Sequence, residues 1–272
     1  MSVVEIPAGL VKQLRERTGA PMMDCKRALQ DAGGDLDEAE RLLRERGVAA
    51  ADKRAGRHTN EGRVLARVDE RGRGAIVAVG CETEPVSKND EFRAFADRAL
   101  EAVWSDGADA AAGLEDERVE LVAKIGENVV IAGAARFEAA SGEVLASYVH
   151  PPAEKIGVLV RARATPELAR LLAMHVSFAN PAYLTRDEVP TEEIARERNI
   201  YEKLPEVGEK PEHVRSKIVE GMLAKRFFAE RVLADQQWIH DDSLTVEQAL
   251  AEHGASVHEF VRLTPSSGDG AA

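Results

Sequence analysis

Few residues in this chain are of the type and spacing that do chemistry. The segment Cys81-Glu82-Thr83-Glu84-Pro85-Val86-Ser87-Lys88-Asn89 gathers a thiol, carboxylates, hydroxyls and an ammonium in one short stretch. It falls where a strand pattern ends and a helix cap begins, a place suited to presenting a rigid loop. The same spacing also fits an ordinary strand–helix connection with solvated acids. Covalent chemistry finds little support elsewhere. No Gly-x4-Gly-Lys-Ser/Thr phosphate loop occurs, and Arg71-Gly72-Arg73-Gly74 lacks the spacing and context of a dinucleotide fingerprint. The seven histidines include no His-x3-His pair, and neither Cys25 nor Cys81 has a sequence neighbour that marks a nucleophile. The expectation is a protein that is not an enzyme and holds no metal and no cofactor.

A second segment points to docking. Val11 and Leu14 recur on one face of a short helix, with Arg15 and Arg17 on its flank. Thr18-Gly19-Ala20-Pro21 then breaks the helix. Met22 and Met23 follow at once, where a turn would ordinarily carry polar residues. Two flexible, polarizable side chains there suit a partner surface, although one of them equally closes a small helical core.

These segments must be positioned by a chain of 272 residues carrying 48 acidic and 36 basic side chains, a formal charge of −12. That balance argues against nucleic-acid binding, because neutralising phosphates needs a net-basic face. No apolar run reaches the ~18 residues of a membrane span. The N-terminus also lacks a secretory layout, so no membrane association is expected and a cytoplasmic location is. Two cysteines fit reduced thiols, and aromatics at 4% leave Leu, Val, Ile and Ala to build the cores.

Asp35 can cap a third helix with Glu38 three residues on; Leu36, Ala39, Leu42 and Leu43 form its apolar face and Gly47 is a plausible stop. Lys53 to Arg57 reads as a linker. Val64, Ala66 and Val68 then recur at every second position among Arg63, Leu65, Arg67 and Asp69, and Ala75 to Val79 continues as an apolar strand after a turn, a hairpin signal. Phe92 to Val103 marks a helix capped by Asn89 or Asp90, Leu114 to Lys124 another, and Val129 to Ala135 a third strand. Strands over Glu143–His150 and Ile156–Arg163, a helix from Pro166 to Phe178, a helix near Val246–His253 and a strand Val257–Leu263 repeat the pattern in part. Ile194, Tyr201 and Leu204, then Ile218, Met222 and Phe227, predict an antiparallel helical hairpin at about 190–229. The expected fold is α+β: a three-helix module of the ubiquitin-associated type (1–54), two subdomains of antiparallel sheet with helices (55–139 and 140–263), the inserted hairpin, and a disordered tail (264–272).

In type and order, residues 10–29 resemble the opening signature of the translation elongation factor Ts family, which usually carries Gly where this chain has Pro21. Lys124-Ile125-Gly126-Glu127-Asn128, Tyr148-Val149-His150, Lys155 to Val160, Ala173-Met174-His175-Val176, Pro181 to Leu184, Lys217 to Gly221 and Phe260-Val261-Arg262 occur in family order. The family carries Thr-Asp-Phe-Val where this chain has Thr83, Glu84, Pro85 and Val86: the acid is kept, the aromatic wedge is not. The resemblance implies a guanine-nucleotide exchange factor that binds elongation factor Tu through its GTPase domain and a second domain. Its loop would enter near the magnesium site, expel GDP and leave GTP to load during translation elongation. It implies no direct nucleotide binding by this chain. The partner-binding residues carried over are the loop 83–86, then Arg15, Met22 and Met23, and more weakly Ile125, Gly126 and His150. On pattern alone Ile125 is a core residue, Arg15 a solvated one, His175 a packed histidine, and His150 an open contact candidate. A homodimer through the hairpin stays an open alternative. So does an adaptor or holdase on the same scaffold without strong exchange, which Pro85 makes conceivable.

Overall fold

The structure is a computed structural model that describes residues 5–266. Three helices come first: α1 (Ala8–Thr18), α2 (Met22–Asp31) and α3 (Leu36–Arg54). They close around Val11, Leu14, Cys25, Ala28, Leu29 and Ala39. Gly19 ends α1 in the left-handed conformation, its N–H donating to the Arg15 carbonyl. Asp35 caps α3 by accepting from the Glu38 N–H at 2.8 Å. The Glu38 carboxylate takes Arg41 instead of closing a capping box.

Two sequence expectations are corrected in α3. Gly47 does not stop the helix, and Lys53 and Arg54 belong to its last turn rather than to a linker. Gly47 faces Ala123, where an added Cβ would lie 3.1 Å from the alanine Cβ. The glycine therefore serves a close helix–helix approach. Ala51, a turn further on, is buried with Phe92 and Phe95, so α3 is continuous with the next core.

Next come β1 (Glu61–Val68), β2 (Arg73–Cys81), the single turn α4 (Glu84–Ser87), α5 (Asp90–Asp106), α6 (Glu115–Ile125) and β3 (Val129–Glu138). They are followed by β4 (Val144–Val149), β5 (Gly157–Arg163) and α7 (Pro166–Ala179). The hairpin region holds α8 (Thr191–Glu202), α9 (Pro205–Gly208), α10 (Glu212–Met222), a π-helical turn Leu223–Phe228 and α11 (Ala229–Arg231). The chain closes with α12 (Val246–Glu252) and β6 (Ser256–Leu263). Two antiparallel sheets result, β1-β2-β3 and β4-β5-β6, making the molecule a mixed α+β protein.

Strand periodicity explains the layering. From the central strand β2, Val77, Val79 and Cys81 meet α5 and α6, whereas Ile76 and Ala78 face the other sheet. From β5, Leu159 joins that shared layer, while Val158, Val160 and Ala162 pack under α7 and α12. The order is helices, sheet, sheet, helices. The sheets approach closely at Gly157, where a Cβ would lie 2.3 Å from Val64 Cγ1. The hairpin helices close on a cluster of their own, Val189, Tyr201, Val207, Val219, Leu223, Phe227 and Val232, with Arg198 bonded to Glu220 across them. The expected tail begins too early: Pro265 is buried and its carbonyl accepts the Thr59 hydroxyl at 3.1 Å. Residues 267–272 of that tail, like residues 1–4, lie outside the described residues.

Candidate functional site

Between β2 and α5 the chain makes one tight excursion. Thr83 is extended (φ −129°, ψ 152°) and α4 follows, with Pro85 in its first turn, where no N–H is missed. A residue ahead of proline is biased toward extended backbone, yet Glu84 is the first helical residue here and Thr83 the extended one. The turn is held because the Ser87 N–H donates to the Thr83 carbonyl (3.2 Å) and the Ser87 hydroxyl to the Glu84 carbonyl (2.7 Å). Val86 is half-buried against the core cluster that holds Phe92 and Phe95, whereas Thr83, Glu84 and Pro85 are exposed.

A second segment clamps this excursion. At the end of α6, Gly126 turns the chain with φ 83°, a left-handed position that a side chain would strain. The next two residues then reach the loop. Both the N–H (3.0 Å) and the hydroxyl (2.7 Å) of Thr83 donate to the Glu127 carboxylate. The Asn128 N–H donates to Glu82 (2.6 Å), and its side-chain amide donates to the Arg57 carbonyl (2.9 Å). Charge-assisted bonds of this kind fix orientation more strongly than neutral ones. Lys88 donates to Glu84 at 2.7 Å, and that hydrogen bond, helped by the charge of Lys88 and more distantly of Lys155, holds the Glu84 carboxyl below its ordinary range. Glu84 is thus an exposed, ionised side chain on a braced turn.

The turn between β4 and β5 carries His150, which is exposed and shares a hydrogen bond of 3.0 Å between Nδ1 and the Tyr148 hydroxyl. That turn is tied to β1: the Val64 N–H donates to the Glu154 carbonyl (2.7 Å), and Lys155 donates to Glu61 (2.5 Å). Glu61 lies opposite Cys81 in the β1–β2 register, so the His150 turn and the loop share one end of the sheets. On the other side, the Gly19 turn touches Lys124, whose Cε would meet an added Cβ at 2.9 Å. Ile125 is half-buried in the core, Gly126 exposed, and Arg15 exposed on α1. Met22 and Met23 open α2 and are 53% and 60% exposed, so neither closes the small core.

Sequence reasoning missed Glu82, Glu127, Asn128, Glu61 and Lys155 as the residues that hold these pieces together. The signal was present in Lys124-Ile125-Gly126-Glu127-Asn128: a glycine turn followed by two side chains able to pair with a neighbouring segment. The arrangement offers no nucleophile and base. Burial, followed by the charges of Glu127 and Glu61, pushes the Cys81 thiol up to about 12. Burial likewise lowers His175, which stacks on Trp238 and shares a hydrogen bond with Gln236 at 3.0 Å. No group of three or more His, Cys, Asp or Glu fit to hold a metal ion occurs among the described residues, and no described helix is long and apolar enough to cross a membrane.

Fold and site therefore describe an α+β protein that gathers exposed loops at one end of two sheets. The family model for elongation factor Ts matches residues 82–266, beginning at the braced loop. The chain is 40% identical to elongation factor Ts of Methylococcus capsulatus over 278 aligned positions, covering 97% of this chain and 94% of the relative. It is 41% identical to elongation factor Ts of Cronobacter sakazakii over 271 positions, covering 98% and 93%. The chain belongs to the elongation factor Ts family.

Proposed function

We propose that this protein is a guanine-nucleotide exchange factor: it binds elongation factor Tu carrying GDP, accelerates GDP release and leaves the site free for GTP. The observation that carries this reading is the braced, acidic turn Thr83-Glu84-Pro85-Val86, presented at the same end of the molecule as Gly126 and His150. Residues 1–54 act as a docking module through Arg15, Met22 and Met23. The two sheet-and-helix units contact the GTPase domain and a second domain of the partner.

The mechanism is linkage. A factor that weakens nucleotide binding must itself be weakened by nucleotide, by the same ratio. The loop acts as a preformed wedge near the magnesium of the GTPase, and disturbing that ion loosens the phosphates it bridges. Pro85 supplies less apolar area than an aromatic, for which full burial contributes roughly 1.5–3 kcal/mol. In return, the bonds to Glu127 and Asn128 remove much of the cost of ordering the loop on binding. The test is the release of labelled GDP from elongation factor Tu of the same organism. Acceleration of about a hundredfold or more, equal to ~2.7 kcal/mol off the barrier, is expected. Tight binding with unchanged release would replace this reading with that of an adaptor.

A further inference from the structure

The chain does not leave the fold at the end of β6. Thr264 and Pro265 cross from the second sheet to the first and settle at the end that carries the candidate loop. Pro265 is buried over two facing glycines, Gly62 of β1 and Gly80 of β2, which are partners in the strand register. A Cβ on Gly80 would lie 2.2 Å from the Pro265 carbonyl oxygen and 2.7 Å from Thr59 Oγ1. A Cβ on Gly62 would lie 2.0 Å from the Val79 carbonyl oxygen of the paired strand and 2.8 Å from the proline Cβ. A side chain at Gly80 would evict the strap, and one at Gly62 would disturb both the strand pair and the strap above it.

The chemistry of the seat suits proline. A proline has no N–H to satisfy on burial, and its preset φ lowers the entropy lost on ordering. Its carbonyl is satisfied by the hydroxyl of Thr59, itself only 1% exposed, at 3.1 Å. A buried hydroxyl left unpartnered would cost free energy, so strap and threonine stabilise each other.

The position of this seat gives it a role. Gly80 is followed directly by Cys81, whose thiol donates to the Thr83 carbonyl (3.4 Å), and by Glu82, which accepts from the Asn128 N–H. Asn128 also binds the carbonyl of Arg57, two residues before Thr59. Strap, Thr59, Arg57, Asn128, Glu82 and Thr83 are thus linked by hydrogen bonds and the short stretches of backbone between them, ending on the exposed turn.

We propose that Thr264–Ser266 is a positioning strap, in which Pro265, locked by Thr59 over Gly62 and Gly80, holds the 82–86 turn in its presenting geometry. The proposal rests on the exchange-factor reading for its functional consequence and on the contacts above for its structural one.

The experiment compares the full chain with a chain ending at Leu263, with Thr59→Val and with Thr59→Ser. It measures GDP release from elongation factor Tu at saturating factor, the half-saturating concentration, and hydrogen exchange of the amides of residues 82–87. Truncation and Thr59→Val are expected to slow release about fivefold while changing half-saturation less than about twofold, and to speed exchange in the loop. Thr59→Ser keeps the hydroxyl and should match the full chain. Should truncation prevent folding, Thr59→Val carries the test, because it preserves the chain and nearly all of its volume. Unchanged release in Thr59→Val, or equal slowing in Thr59→Val and Thr59→Ser, overturns the strap. If the full chain itself fails to accelerate release, the exchange reading falls. The strap is then judged by hydrogen exchange alone, and equal loop protection in Thr59→Val and the full chain overturns it.

Discussion

The Thr83–Val86 turn and the Met22–Met23 pair are both short, exposed and set at the start of a helix, yet they are held in opposite ways. The turn is pinned from outside by Glu127 and Asn128, and its root at Cys81 sits in the main core. The methionines are aimed only by a glycine–proline break and the six-residue core of three helices. One surface is polar and rigid, the other apolar and adaptable. Rigid, preorganised groups act best where geometry matters, in the step that changes a partner's state. Flexible thioethers contribute area to many bound geometries and so chiefly add affinity. On the proposed exchange reading, the turn would set the rate and the methionines the affinity.

The strongest way to break that division is to loosen the turn. Replacing Glu84 and Val86 together by glycine removes the exposed carboxylate and the half-buried anchor that fixes α4 on the core. GDP release at saturating factor should fall about tenfold or more, with half-saturation changed less than about threefold, since an interaction made mainly in the transition state lowers rate more than affinity. A loss confined to half-saturation would make the turn an ordinary docking residue set and dissolve the contrast.

The converse substitution is Met22→Asp. It places a charge where the partner would supply a dry apolar surface, so half-saturation should weaken by about tenfold, with release at saturation within about twofold of the unmodified protein. Circular dichroism should be unchanged, because Met22 is more than half exposed and leaves the small core intact. A fall in the saturated rate would show that the helical module takes part in the exchange step itself.

How much of this was legible beforehand follows the same divide. Local patterns carried the elements: Val77 and Val79 alternating with Ile76 and Ala78 mark β2, and Asn89 ahead of Phe92 marks the start of α5. The exposed methionines and the loop stood out by residue type alone. What a single sequence hides is contact between distant segments. Gly47 reads as a helix stop because a C-terminal glycine and a glycine at a helix crossing look alike along the chain. Pro265 reads as tail because its low apolar content says nothing of the glycine seat almost two hundred residues earlier. Glu127 and Asn128 stand in the sequence only as the end of a motif, without a bracing role, because their partners lie across the sheet end. The site's exposed tips were visible, whereas the braces that give them geometry were not.

The smallest effect, and the finest probe of rigidity, comes from the two cysteines, one in each region. Both are fully buried, Cys25 in the three-helix core and Cys81 at the root of the turn. Burial raises the pKa of each thiol, and Cys81 reaches about 12. Neither therefore reacts as a thiolate without opening. A small core opens more readily than one shared between layers, so a thiol reagent at about pH 8 should label Cys25 roughly tenfold faster than Cys81. The pH dependence has a definite sign. The folded protein keeps the Cys81 proton while the unfolded chain releases it above the ordinary value of 9.0. The unfolded state therefore binds fewer protons, and stability falls as pH rises. The contribution of Cys81 is fully present below 9.0 and is lost progressively as pH climbs toward about 12. Urea unfolding of Cys81→Ala should accordingly show a shallower loss of stability above about pH 9 than the unmodified chain. Equal labelling of the two cysteines would mean that the root of the turn opens as easily as the helical module, and the rigidity on which the assignment of rate rests would not exist.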